Sequence, residues 1–386
     1  MTEPAPIALY VHWPFCAAKC PYCDFNSHVR ETVDQQRWRA ALLAELAHWA
    51  EQVGPRSLSS LFFGGGTPSL MPSETVAAVI DAAKAHFPPL PSCEITLEAN
   101  PGSVEAGRFR AYHQAGVGRV SVGVQALNDP DLKALGRLHS VAEARAALDV
   151  AASTFPRWSL DLIYARTGQT PADWRAELTE ALAIATGGHL SLYQLTIEPG
   201  TQFATLYNRG ALTIPEDDDA IEMYEITQDL CGAAGLPAYE VSNHASPGQE
   251  SRHNLTYWRY QDYIGIGPGA HGRLVLQGHK QATRTHRAPE IWLERVEQHG
   301  HAGHATVLIP PEDRWQEALL MGLRLSEGLP LGRLSSEAGT DWQDLISADR
   351  VTMACEEGLL TASDTHLTAT ATGRQRLNAL IAFLAS

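Results

Sequence analysis

Cysteine is scarce in this chain, with six in 386 residues. A small secreted scaffold held by disulfides needs them far denser, so that class is excluded. Long apolar runs are missing as well. No stretch of about 18 apolar residues occurs, which argues against a membrane-spanning helix. The opening Met-Thr-Glu-Pro-Ala-Pro lacks the basic-then-apolar order of a secretion signal. Basic residues are outnumbered: 29 Lys and Arg stand against 44 Asp and Glu, a formal net charge of −15. Grip on a nucleic-acid backbone relies on clustered Lys and Arg, so no nucleic-acid partner is expected. Neither low-complexity tracts nor sequence repeats interrupt the chain. What remains is a globular composition, 44% hydrophobic, in a chain sized for one large domain and a smaller one. The expected location is a reducing cytoplasm, with at most transient membrane contact. A monomer or homodimer is expected.

Half of the cysteines crowd into one segment. Cys16, Cys20 and Cys23 read C-x3-C-x2-C inside Tyr10-Val-His12-Trp-Pro14-Phe15-Cys16-Ala-Ala-Lys-Cys20-Pro-Tyr22-Cys23-Asp24-Phe25. Three thiolates on one short loop can hold three irons of a 4Fe–4S cube. The fourth iron is then open to a substrate, whereas ordinary clusters and structural zinc sites use four protein ligands. The spacing leaves a zinc site completed by His12 or His28 as an alternative. Cys93, Cys231 and Cys355 are scattered in apolar surroundings and read as small core residues.

Around the loop the pattern is strand, helix, strand. β-rich apolar runs occur at Ile7–Val11, Leu58–Phe63, Glu94–Leu97, Arg119–Val124, Trp158–Ile163 and Leu190–Leu195. Ser140-Val-Ala-Glu143 is a capping box, and Thr170-Pro171-Ala-Asp173 sets a hydroxyl before a first-turn proline. The acid run Glu216–Asp219 suits the positive end of a following helix. Six βα units imply an α/β fold with a parallel sheet, a partial (β/α)6 TIM-like barrel. The chemistry-bearing residues then fall at the C-terminal strand ends, where such barrels build their sites. They are the cysteine loop, Gly64-Gly65-Gly66-Thr67-Pro68, Glu98-Ala-Asn100-Pro101, Gln125 and Asp161.

Beyond residue 240 the pattern changes. His253-Asn254-Leu-Thr-Tyr257-Trp258 precedes the glycine-rich Gly265-Ile-Gly267-Pro-Gly269-Ala270, read as a turn-rich segment. The Gly-, His- and Pro-rich stretch 299–313 reads as a hinge. After it, a helix over Arg314–Leu325, a small ribbon at Leu359-Leu360 and Leu367-Thr368, and a last helix near Gly373–Leu384 suggest a mostly helical, winged-helix-like module. With 6 Arg, no Lys and 11 acids after residue 300, that wing is not expected to bind DNA. The expected division is 1–240, 241–300 and 301–386.

The cysteine motif is similar to that of radical S-adenosylmethionine (SAM) proteins. With Tyr10-x-His12-x-Pro14-Phe15, Gly-Gly-Gly-Thr-Pro, Gly123-Val124-Gln125 and the later segments, nearly the whole chain resembles one branch. That branch holds the oxygen-independent coproporphyrinogen III oxidases and their relatives, the HemW haem chaperones. The resemblance implies a 4Fe–4S cluster on Cys16, Cys20 and Cys23, with SAM at the open iron contacted by Tyr10, Gly65 and Glu98. Glycines 64–66 would let the backbone approach the methionyl end, or simply make a tight turn. Tyr22, Gly66, Thr67, Gln125, Arg137 and Asp161 match residues that hold a second SAM, or its site, in the oxidases.

Two departures weigh against oxidase activity. Phe25 stands where the oxidases carry a further cysteine, and only six residues precede the first strand. A third, Ala165-Arg166-Thr167 in place of the family's Gly-Leu-Pro, questions the shape of that loop. His253-Asn254-x-x-Tyr257-Trp258 matches the chaperones' motif. It implies haem as ligand, with His253 on the iron, and delivery to a respiratory haem protein of the membrane. The runner-up is the oxidase reaction, decarboxylation of coproporphyrinogen III propionates.

Overall fold

The computed structural model describes residues 5–103 and 106–386. Six strands alternate with helices through the first half: β1 (Pro6–Trp13), β2 (Ser57–Gly65), β3 (Pro89–Ala99), β4 (Arg119–Gln125), β5 (Arg157–Tyr164) and β6 (His189–Gln194). They pair in chain order and all run parallel. β7 (Asn243–Ala245) closes one edge, antiparallel to β6. On the other side β8 (Tyr263–Ile266) runs parallel to β1. It is followed outward by antiparallel β9 (His271–Leu276), β10 (His279–Arg284) and β11 (Val307–Leu308). The fold is the expected α/β partial barrel, within one eleven-stranded sheet.

Successive strand residues point to opposite faces, and the register sorts them. Leu9 lies beside Leu61, Leu61 beside Ile95, Val122 beside Leu160 and Leu162 beside Leu192, all buried. That face packs on the helices. Helix Gln35–Val53 buries Trp38, Leu42, Leu46 and Trp49, a stripe at helical spacing. Trp38 stacks on Trp292 at 5.1 Å between ring centroids. Cutting a fully buried Leu42 to Ala costs about 2–5 kcal/mol. The opposite face puts Tyr10 beside Phe62, Glu98 beside Ser121 and Asp161 beside Ser191. Parallel strands buried on both faces are normally apolar throughout. Here polar residues such as Glu98, Ser121, Asp161 and Ser191 stand at alternate positions, because the inner face lines a site.

Both capping boxes form, at Ser140/Glu143 and Thr170/Asp173. The acid run supplies the N-cap and first turn of helix Asp217–Ala233, as its charge dictates. Two expectations need correction. The turn-rich reading of residues 265–270 misses β8, which begins at Tyr263 and includes Gly265; turning starts only after Ile266. The stretch read as a hinge is pinned instead. Buried Glu45 accepts hydrogen bonds from the amides of Gly267 and Ala302 and from the Trp292 indole, at 2.8–2.9 Å. The Ile309 amide also donates to the Lys280 carbonyl.

The C-terminal region has its own core, with Trp315, Leu319, Leu334, Leu360, Leu367 and Leu380 among its buried members. Helices Pro311–Gly322, Leu331–Ala338 and Ala348–Glu356 precede an antiparallel ribbon of Leu360–Ala362 and His366–Ala369. Leu329–Pro330 adds a third strand. The last helical stretch is split at Arg376.

Candidate cluster and cofactor site

β1 ends at Trp13, and the chain enters the cysteine loop. Phe15–Cys16 pairs in parallel with His28–Val29, which closes the loop at its base. The Cys23 amide donates to the Cys20 carbonyl, a tight turn between the second and third thiols. All three thiols are unpaired and half-buried. Burial raises the Cys16 thiol, opposed by a hydrogen bond from Thr67. Thr67 Oγ1 donates to Cys16 Sγ at 3.4 Å, and Arg137 Nη1 to Cys20 Sγ at 3.5 Å. Cys23 Sγ lies 3.7 Å from Ser27 Oγ. Three free soft donors, each beside a polar hydrogen, fit an iron–sulfur cube better than a closed zinc site.

The loop is held from below. Asn26 Nδ2 donates to the carbonyls of Pro268 and Arg287, and His28 Nε2 donates to Asn26 Oδ1. His12 Nε2 donates to the Asn26 carbonyl at 2.9 Å. That bond fixes the proton on Nε2, so Nδ1 accepts from the Tyr10 hydroxyl at 3.0 Å. Burial lowers His12's pKa, which keeps the ring neutral.

The glycine run crosses directly over this loop. The Gly66 amide donates to the Trp13 carbonyl and the Thr67 amide to that of Phe15, at 2.7 and 2.8 Å. A Cβ at Gly66 would sit 2.7 Å from the Phe15 carbonyl oxygen, and Gly65 has φ +109°. The tight-turn alternative therefore accounts for these two glycines: they face β1's end and the loop, not open space.

Glu98, half-buried at the end of β3, is pushed up to about 8 by burial and then by the charge of Asp161; the Gly65 amide opposes this. Asp161 is also raised by burial, while Ser191 and Ser121 donate to it. Burial, then Glu98, raises the Tyr10 phenol. Tyr22 packs against Phe203, and burial raises its phenol too, against the pull of Arg137. Gln125 ends β4 at φ +75°. Arg137 spans the mouth, donating to the Gly123 carbonyl at 2.8 Å and to Asn100 Oδ1. Asn100 in turn donates to Thr67 Oγ1 at 3.1 Å. The residues singled out from sequence thus meet around the cysteine loop, through Asn100 and His12, which the sequence had marked without this role, and Asn26, which sequence reasoning passed over. Asn100 had a visible signal, an Asn-Pro at a strand end.

His253 needs correction. It lies on helix Arg252–Trp258 and is 1% exposed. Its Nδ1 bonds Ser60 Oγ at 2.9 Å and its Nε2 bonds the Tyr257 hydroxyl at 2.7 Å. The ring stacks on Phe62, and burial drops its pKa to about 3. Neither nitrogen is free for iron, so the structure makes His253 a core residue of the inner face.

The divergent loop after β5 is also resolved. Ala165 takes φ +55°, and Arg166 turns inward to the Ile163 carbonyl. Its guanidinium bonds Asp131 Oδ2 and Glu177 Oε2 at 2.5 and 2.6 Å. The Leu127 amide and Gln169 complete the Glu177 carboxylate. A buried ion network thus backs helix Asp129–Ala134, which leads to Arg137.

Comparison with known proteins places this geometry. Residues 10–181 match the radical SAM superfamily and 309–376 the HemN C-terminal domain. The heme chaperone HemW of Escherichia coli is 36% identical, over 99% of this chain and 98% of its own. That of Haemophilus influenzae is 39% identical, over 86% and 85%. The mitochondrial radical S-adenosyl methionine domain-containing protein 1 of Bos taurus is 41% identical, over 85% and 76%. Among solved structures, coproporphyrinogen III oxidase (HemN) from Escherichia coli superposes with a TM-score of 0.82 at 20% identity, covering 100% of this chain and 91% of its own. That likeness concerns the fold. Similarity of this extent to relatives covered over most of their length means that the chain belongs to the HemW family of the radical SAM superfamily.

Proposed function

We propose that this protein is a haem chaperone that carries a 4Fe–4S cluster on Cys16, Cys20 and Cys23, binds SAM at the barrel mouth, and passes haem to a respiratory haem protein of the membrane. Membership of the superfamily implies the cluster and SAM. When bound, the cluster supplies an open iron that can chelate SAM. The observation that carries the reading is the thiol loop with its two donors, Thr67 on Cys16 and Arg137 on Cys20. Around it, Glu98 offers acceptor oxygens to a ribose or ammonium group, and Gly65 orients that carboxylate. Tyr10, held by His12, caps the inner face beneath. Gln125, Arg137, Asp161, Tyr22, Gly66 and Thr67 serve the same mouth. The haem role rests on the relatives named heme chaperones, similar over most of the chain. The division 1–240, 241–300 and 301–386 goes with this reading, with Val307–Leu308 crossing back to the barrel sheet.

The oxidase reading keeps one support, the shared fold. A single experiment separates the two. Full-length protein is reconstituted anaerobically and given haem, or coproporphyrinogen III with SAM. The chaperone reading expects about four irons per chain, none in the Cys16/Cys20/Cys23→Ala triple variant, a Soret shift with haem, and no protoporphyrinogen IX. Robust protoporphyrinogen formation, or no haem binding at micromolar protein, sinks it.

A further inference from the structure

Asn100 follows β3 directly and joins two side chains that reach the cysteine loop from different elements. One is Thr67, beyond the glycine run; the other is Arg137, beyond helix Asp129–Ala134. Their chemistry gives this chain of bonds a single direction. A guanidinium donates and cannot accept, so Arg137 Nη2 takes Asn100 Oδ1. The Asn100 amide nitrogen then faces Thr67 and donates to its Oγ1 at 3.1 Å. With that oxygen accepting from Asn100, its one proton turns to Cys16 Sγ, 3.4 Å away. Arg137 Nη1 donates to Cys20 Sγ at 3.5 Å, and Nη2 is shared with the Gly123 carbonyl at 2.8 Å. One asparagine therefore orients a donor toward each of two thiols. The third, Cys23, meets Ser27 Oγ at 3.7 Å, a contact in which either atom can donate.

These donors are fixed by packing. Thr67 is buried. A Cβ at Gly136 would sit 2.5 Å from Pro21 Cδ, so the backbone just before Arg137 is pressed onto the residue after Cys20. The Arg137 amide donates to the Leu132 carbonyl, and His139 Nε2 bonds the Val124 carbonyl. Arg137 Nε is buried and meets no acceptor among the described residues, which leaves the two Nη atoms to make the guanidinium's bonds.

We propose that Asn100 is a positioning residue for the cluster: it holds Thr67 and Arg137 as donors to the Cys16 and Cys20 thiolates, and so raises the potential at which the cluster accepts an electron. The inference rests on the cluster of the reading above and is independent of haem. An added electron increases the negative charge on the thiolate sulfurs. Donors aimed at those sulfurs, one of them cationic, stabilise the reduced form more than the oxidised one. The balance is simple: one electron enters from an external low-potential reductant, and no bond of the protein forms or breaks.

Full-length protein is reconstituted anaerobically and poised with dithionite and redox mediators, and the reduced cluster is counted by electron paramagnetic resonance. Thr67→Val keeps the side-chain shape and loses the proton. At the wild-type midpoint it is expected to lower the ratio of reduced to oxidised cluster about threefold. Asn100→Ala releases both donors and is expected to lower the ratio at least tenfold, a shift of about 59 mV for one electron. Thr67→Ser, which returns the hydroxyl, is expected to restore the wild-type potential. An unmoved potential in either Thr67→Val or Asn100→Ala at full iron content overturns the proposal. So does loss of the cluster from Asn100→Ala, which makes that residue scaffold alone. Wild type that takes up no iron overturns the cluster reading itself.

Discussion

Behind β5, Arg166 is enclosed by Asp131 and Glu177, and every oxygen of Glu177 has a donor. On the inner face of the barrel, Asp161 sits close enough for its charge to raise the Glu98 carboxyl, and neither forms an ion pair among the described residues. Both places take carboxylates out of water. The first pairs both with Arg166 and becomes part of the frame. The second leaves them with hydroxyls and one backbone amide, still able to accept more. Charge that is fully paired holds a loop in shape; charge left under-satisfied at a strand end awaits a ligand.

The largest test of that contrast is Arg166→Ala. It strands two carboxylates around a 4%-exposed position, so unfolding by denaturant is expected to become easier by about 3–5 kcal/mol. A loss under about 1 kcal/mol would erase the difference between the two regions. Next comes His253→Ala on the inner face. It leaves Ser60 and Tyr257 without partners and opens a void against Phe62. Thermal and chemical denaturation are expected to show about 2–4 kcal/mol of destabilisation; a wild-type melting curve would mean the ring is not structural.

The smallest effect belongs to Glu98. Its folded pKa of about 8 lies above the ordinary 4.5. Folding therefore takes up a proton between about pH 4.5 and 8, and stability falls as pH rises through that window. Glu98→Gln removes this fall. Discounted for partial exposure, the gain at pH 8 relative to pH 5 is on the order of 1 kcal/mol. Equal pH dependence in both proteins would place the charge in water, and the contrast with Arg166 would be one of exposure alone.

Much of this was legible in the sequence where short-range physics decides. Strands β1 to β6 announced themselves as apolar, β-rich runs, and Ser140/Glu143 and Thr170/Asp173 by cap spacing. The cysteine spacing located the candidate site. What stayed hidden depends on partners far away in the chain. Tyr263–Ile266 is a four-residue strand containing glycine, recognisable only beside β1. His253 carries a motif but no mark of Ser60, 193 residues earlier, as its partner. Arg166 read as a disrupted loop because nothing in sequence says that Asp131 and Glu177 converge on it.

The position of β1 has a temporal consequence. One of its neighbours, β2, follows within about fifty residues, but the other, β8, is made only when residue 266 leaves the ribosome. The cysteine loop depends on the same late segment, since Asn26 is fastened to carbonyls 242 and 261 positions downstream. At ordinary elongation speeds of about 5–20 residues per second, the thiols wait roughly 10–50 seconds between synthesis and final anchorage. During that interval they hang on a nascent chain whose first strand is still a sheet edge, reachable by iron donors and oxidants alike.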